Sequence, residues 1–145
     1  MAVTNDSALL FLDANIIMYC VGGEHPLKTP CLRVVEQIRD GRFRVCTSTE
    51  VQQEMLHRYY RQKRQEIGDR AYRLLTDLCY VVYPTTPADM ERAFVILHEV
   101  SDINVRDAVH AAVILNNGLT HILSTDDHFD HIAGITRVGP ETLQP

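Results

Sequence analysis

The sequence predicts an α/β fold, a three-layer α/β/α sandwich on a mainly parallel five-stranded sheet, and three observations point to it. Short continuous apolar runs recur along the chain. Stretches of helical periodicity separate them. No repeat, low-complexity tract or Pro/Gly-rich linker divides the 145 residues. Strands that alternate with helices require right-handed crossovers, hence a parallel sheet covered on both faces. This length suits one hydrophobic core, so residues 1–145 are read as a single domain.

The first run, Ala8–Leu12, reads ALLFL and stops abruptly at Asp13, as a buried strand does. Phe43–Cys46, Cys79–Tyr83, His121–Leu123 and Ile135–Val138 are runs of the same kind. Between the first two, Cys31, Val34, Val35 and Ile38 fall at i, i+3, i+4, i+7, with Thr29-Pro30 opening a helix and Asp40-Gly41 closing it. Thr49 to Thr76 is a long, polar, Arg-rich helical stretch with a break expected near Gly68. Pro87 to Val100 follows with Thr86 as N-cap, Pro87 at the first helical position, and Met90, Ala93, Phe94 and Leu97 on one face. Val105 to Asn117 is rich in Ala and Val and ends at Asn117-Gly118, a helix-stop signal.

Composition narrows the class. Hydrophobic residues at 46% and charged residues at 23% exclude a disordered tail, a fibrous repeat and a membrane protein. The N-terminal MAVTNDS has neither the basic nor the apolar region of a signal peptide, and no apolar stretch is long enough to span a bilayer. Cys20, Cys31, Cys46 and Cys79 form no CxxC pair and lie in apolar surroundings, so reduced, mostly buried thiols in a cytoplasmic protein are expected. The net charge of −5 argues against bulk phosphate neutralisation, but the charges are segregated. Eight of the fourteen bases lie between Arg42 and Arg73, whereas Glu99 to Asp130 holds six acids and only Arg106.

In parallel sheets, sites form outside the carboxyl ends of strands, where strand order reverses. Asp13 directly follows the first strand, where it serves either as a helix N-cap or as a site acid. Asp126, in Ser124-Thr125-Asp126-Asp127, repeats that arrangement after the fourth strand, and a reversed strand order makes the two acids neighbours. Asp107 takes the third helical position after Asn104, where an acid also complements the helix dipole. Thr47-Ser48-Thr49-Glu50 fits a capping box that accounts for Glu50, and leaves Glu54, one turn on, as the better site candidate. Carboxylates gathered this closely repel unless a cation neutralises them, and Mg²⁺ or Mn²⁺ suits a shell of carboxylates and water. The chemistry expected of such a site is phosphodiester hydrolysis by an activated water.

Phe11-Leu12-Asp13-Ala14-Asn15-Ile16, Glu54, Asp107-Ala108-Val109-His110-Ala111-Ala112 and Ser124-Thr125-Asp126-Asp127-His128-Phe129 stand in the order and spacing of the PIN-domain ribonucleases. The chain resembles that family from Leu9 to Val138, and within it most resembles the VapC toxins of toxin–antitoxin pairs. The resemblance implies that Asp13, Glu54, Asp107 and Asp126 are the catalytic acids. Metal would lie on Asp13, Asp107 and Asp126, with Glu54 ligating it or orienting the attacking water, Asp127 the alternative to Asp126 as the fourth acid, and Asp127, Asp130, Asn15 and Thr125 as accessories. It also implies an RNA substrate, a homodimer, and a VapB-like antitoxin that enters the acidic groove. The same fold serves RNA-processing and RNA-decay nucleases, and a catalytically inactive RNA-binding module is the reading from another class. The four intact acids speak against the latter.

The Arg-rich segment supplies Arg58, Arg61, Lys63 and Arg64 as candidate RNA contacts, with Tyr59, Tyr60 and Tyr72 placed to stack on unpaired bases. Solvated helices with Glu66, Asp69 and Asp77 as partners account for the same bases equally well. His110, one turn after Asp107, is weighed as a packed or hydrogen-bonded helix residue ahead of a site residue.

Overall fold

The computed structural model describes residues 9–143; Ala8, at the head of the first predicted strand, and the Met1–Ser7 segment lie outside the described residues. The element order is β1 (Leu9–Leu12), α1 (Ala14–Val21), α2 (Lys28–Arg39), β2 (Arg44–Ser48), α3 (Thr49–Arg61), α4 (Gln65–Leu78), β3 (Cys79–Tyr83), α5 (Pro87–Glu99), α6 (Val105–Asn116), β4 (His121–Leu123) and β5 (Thr136–Val138). The strands lie in the order β3-β2-β1-β4-β5, and every neighbouring pair is parallel. The sheet is therefore parallel throughout, rather than mainly so.

Successive strand residues point to opposite faces, and Leu10, Phe11 and Leu12 are all fully buried, so β1 is covered on both sides. Helices pack in two groups, α1 with α2 and α4, and α5 with α6, while α3 touches both α4 and α6. The chain leaves β1 toward β2 and β3, then returns to place β4 on the other flank of β1. Leu12 pairs with Leu123, and the Asp13 amide donates to the Leu123 carbonyl at 3.0 Å. That switch point sets the residues after β1 and β4 side by side. Among the described residues no helix is long and apolar enough to cross a membrane.

Four local expectations are corrected. The Arg-rich stretch breaks at Gln62–Arg64, not at Gly68: Lys63 adopts φ 57°, and the Lys63 and Arg64 amides close back on Tyr60 and Tyr59 carbonyls at 3.0 and 2.9 Å. Gly68 lies inside α4 for a packing reason, because a Cβ there would fall 2.6 Å from Tyr59 Cβ. The N-cap of α3 is Ser48, whose hydroxyl accepts from the Val51 amide at 3.2 Å, so Glu50 closes no capping box. Thr47 is still in β2 and donates to the Leu12 carbonyl instead. On α5 the buried residues are Asp89, Ala93 and Ile96, while Met90 and Phe94 of the expected inner face are exposed. The capping box between Thr86 and Asp89 and a hydrogen bond from Asn116 to Asp89 fix that helix by its polar side, turning Met90 and Phe94 outward. Finally, α2 begins at Lys28, one residue before Thr29-Pro30, with no side-chain cap.

Candidate metal centre

Asp13, Asp107 and Asp126 owe their positions to a strand end or a helix start, whereas Glu54 lies in the second turn of α3. Asp13 caps α1: Oδ1 accepts from the Ala14 amide at 2.8 Å, and Oδ2 accepts from Ser124 Oγ at 2.7 Å and Asn15 Nδ2 at 3.2 Å. The same Ser124 Oγ accepts from the Asp126 amide at 3.0 Å and from Asn15 Nδ2 at 3.2 Å. Asn15 Oδ1 in turn accepts from the Thr125 amide at 3.2 Å. Three of these bonds, from Ser124 to Asp13, from Asn15 to Ser124 and from the Thr125 amide to Asn15, lock the end of β1 to the end of β4. Asn15 and Thr125 act here as scaffold for Asp13 and Asp126.

Asp107 sits at the third position of α6, where the Asn104 side chain accepts its amide at 2.8 Å and donates to its Oδ2 at 3.2 Å. Ligating atoms of Asp107, Asp126 and His128 lie within 4.8 Å of one another, as do those of Asp13, Glu54 and His110. Glu54 comes from α3. Its Oε1 is 3.0 Å from His110 Nε2, and its Oε2 is 3.9 Å from Arg58 and 4.0 Å from Arg106. Asp126 Oδ1 accepts from the His128 amide at 2.9 Å.

These carboxylates open into a groove of about 770 Å³ whose walls include Asp13, Glu54, Asp107, Asp126, Arg58 and Arg64. Tyr19 of α1, Gly22 and His25 just after it, and Tyr59 of α3 also line the groove. Arg61 and Lys63 do not line it, and neither do Asp127 and Asp130. Asp127 is exposed, and Asp130 is engaged by Arg137 at 2.9 and 3.2 Å, which holds its carboxyl below the usual range. Tyr59 is buried with the Arg64 guanidinium 5.8 Å from its ring, and Tyr60 donates to Asp69 at 2.7 Å.

The site is short of positive charge. Burial raises the Asp13 carboxyl, opposed by His110 and the Ser124 hydrogen bond and reinforced by the Glu54 charge. The Asp107 carboxyl is pushed up to about 7, first by burial, then by sharing a proton with Asp126 and by repulsion from Asp126 and Asp13. Burial alone would neutralise His110, but its bond to Glu54 and the charges of Asp13, Glu54 and Asp107 raise it instead. An oxygen-dominated donor set held at this energetic disadvantage fits a hard divalent cation.

His110, Ser124 and Arg106 were under-read in the sequence. His110 carried a signal, its place one turn after Asp107. Ser124 looked like part of an ordinary polar turn. Arg106 was marked only by being the lone base in the acidic stretch, and it sits 3.8 Å from Glu50 as well as near Glu54. All four cysteines are free, and Cys79 is the one not fully buried. Burial pushes the Cys46 thiol up to about 12.

A PIN domain family model matches residues 10–135. Ribonuclease VapC13 of Mycobacterium tuberculosis is 35% identical over 130 residues, 90% of this chain and 99% of its own. Ribonuclease VapC7 of the same organism is 32% identical over 136 residues, covering 92% of each chain. In fold, the chain is similar to DNA-bound VapBC from Salmonella typhimurium, with a TM-score of 0.70, 14% identity, and coverage of 92% and 98%. It is also similar to VapC20 of M. tuberculosis, a sarcin-ricin loop cleaving toxin, with a TM-score of 0.67, 17% identity, and coverage of 81% and 90%.

Proposed function

The chain belongs to the PIN domain family, among the VapC ribonucleases, and from that premise we propose that it is a Mg²⁺- or Mn²⁺-dependent endoribonuclease, the toxin of a VapBC-type pair. One observation carries the reading: Asp13, Asp107 and Asp126, from three separate elements, converge at the β1–β4 switch point with their charges unbalanced. A divalent ion held by these carboxylates supplies an activated water and neutralises charge on the phosphoryl oxygens.

The chain's own residues do the rest. Asn15 and Ser124 hold Asp13, and Asn104 holds Asp107, so these carboxylates are fixed before any ion arrives. Glu54, set back by its bond to His110, orients the attacking water. Arg58 and Arg64 line the groove and take the phosphates on either side of the scissile bond. The acidic groove also suits a basic, Arg-bearing tail of a VapB-like antitoxin, which would exclude RNA and metal together. The exposed apolar residues Met90, Phe94 and Val95 of α5 support a homodimer, and the free thiols agree with a cytoplasmic setting.

The test is cleavage of RNA by purified protein with Mg²⁺, Mn²⁺ or EDTA, alongside Asp13→Asn. The variant should fold normally, because a neutral amide replaces a buried, unfavourably ionised group, and should lose cleavage. Near wild-type activity in Asp13→Asn would sink the assignment. Expression of the protein alone should arrest growth and coexpression of a small neighbouring gene should restore it; unimpaired growth would point to an RNA-processing enzyme instead.

A further inference from the structure

We propose that His110 is a positioning residue that fixes Glu54 by a direct hydrogen bond from the core; the proposal rests on the nuclease reading of the site.

The residue stands out against its own helix. Ala108, Val109, Ala111, Ala112, Val113 and Ile114 are all buried apolar side chains, and His110 is fully buried among them. Its ring faces Phe11 of β1 at a centroid distance of 6.0 Å, so its immediate surroundings are those of an apolar core. Nδ1 is buried and has no hydrogen-bond partner among the described residues. An aliphatic residue would fill this site without an unpaired polar atom, and buried polar atoms left unpaired oppose folding. Nε2 is the one nitrogen with a partner, Glu54 Oε1 at 3.0 Å.

Among the described residues Glu54 has no other hydrogen bond. Its Oε2 lies 3.9 Å from Arg58 and 4.0 Å from Arg106, two long, partly exposed side chains. A carboxylate on three rotatable bonds is not held in one place by such contacts. The His110 bond does hold it, tying Glu54 of α3 to α6 while Glu54 lines the groove. With Glu54 as a carboxylate, which only accepts, Nε2 carries the proton in this pair. With that proton in place Nε2 is not a metal ligand, although it lies within 4.8 Å of Asp13 and Glu54 donor atoms.

The experiment compares His110→Leu and His110→Gln with wild type. The leucine fills the ring's place and donates nothing; the glutamine amide keeps a donor near Nε2. The expected result for His110→Leu is a melting temperature at or above wild type, unchanged KM, and kcat reduced about 10–100-fold, the usual effect of losing a supporting partner. His110→Gln should recover most of that loss. Independently of activity, ¹⁵N-histidine spectra of the metal-free protein should show a slowly exchanging Nε2–H that is lost in Glu54→Ala. Wild-type kcat in His110→Leu, a glutamine variant as impaired as the leucine one, or an Nε2 without a proton would each overturn the proposal. A wild-type protein that cleaves no RNA sinks the functional reading instead, and the spectra still decide the His110–Glu54 tie.

Discussion

Ser124 donates its hydroxyl proton to Asp13 Oδ2 at 2.7 Å, across the seam between β4 and β1. Ser124 Oγ in turn accepts from the Asp126 amide and from Asn15 Nδ2, so one side chain orients two of the acids proposed to hold metal. Ser124→Ala leaves a buried carboxylate and a backbone N–H short of a partner. The expected result is a stability loss of about 1–3 kcal/mol and Mn²⁺ affinity lowered about 10–100-fold. Thermal melts and calorimetric Mn²⁺ titration measure the two effects. Unchanged affinity with reduced stability would confine Ser124 to a structural role.

The raised Asp107 carboxyl fixes a sign for pH dependence. Folded, it titrates at about 7; unfolded, near its ordinary value of 3.8. Between those values the folded state holds a proton the unfolded state has released, so stability of the metal-free protein falls as pH rises. His110, raised above its ordinary 6.5, adds loss of the same sign at the upper end. Melting in EDTA should therefore show a melting temperature that declines from about pH 4 to about pH 7 and beyond. Mg²⁺ should stabilise more at the alkaline end, where no proton has to leave first. Asp107→Asn should flatten the decline, and a metal-free melting temperature that climbs through this window would contradict the assignment.

Gly68 offers a test of packing against propensity. Alanine is favoured over glycine by about 1 kcal/mol inside a helix, so Gly68→Ala looks stabilising on sequence grounds. Its Cβ would meet Tyr59 Cβ at 2.6 Å, forcing α3 and α4 apart. Overpacking of this kind costs about 1–3 kcal/mol, so net destabilisation is expected in denaturant titration. A stabilised variant would show that the α3–α4 contact yields easily.

The same glycine shows where the sequence could and could not be read. Five apolar runs with helical stretches between them reported the sheet, most plainly at β1, whose Leu10, Phe11 and Leu12 are fully buried. The acids at 13, 107 and 126 were legible because each follows a strand end or opens a helix, so topology alone brings them together. The break of the Arg-rich stretch was not legible, since a lysine, not the glycine, takes the left-handed turn at φ 57°. Nor was the outward turn of Met90 and Phe94, which depends on Asp89 binding Asn116 of another helix. His110 was ambiguous because its acceptor lies 56 positions away in sequence.

Charge position, rather than charge count, should govern RNA binding. Arg61 and Arg64 lie three residues apart and carry the same charge, so each alanine variant changes the long-range field alike. Only Arg64 lines the groove with the acids, its guanidinium 5.8 Å from the Tyr59 ring. Arg64→Ala should therefore weaken RNA binding and reduce the slope of log affinity against log salt by about 0.7, the value for one phosphate contact on a single strand. Arg61→Ala should leave both close to wild type. Binding is best measured by fluorescence anisotropy in Ca²⁺, a cation that keeps the carboxylates neutralised while slowing cleavage. Equal losses in the two variants would mean that the basic helices attract RNA only as a diffuse field. A loss confined to Arg64 would fix the path of the strand, from the α3–α4 corner across Glu54 to the carboxylates at the β1–β4 seam.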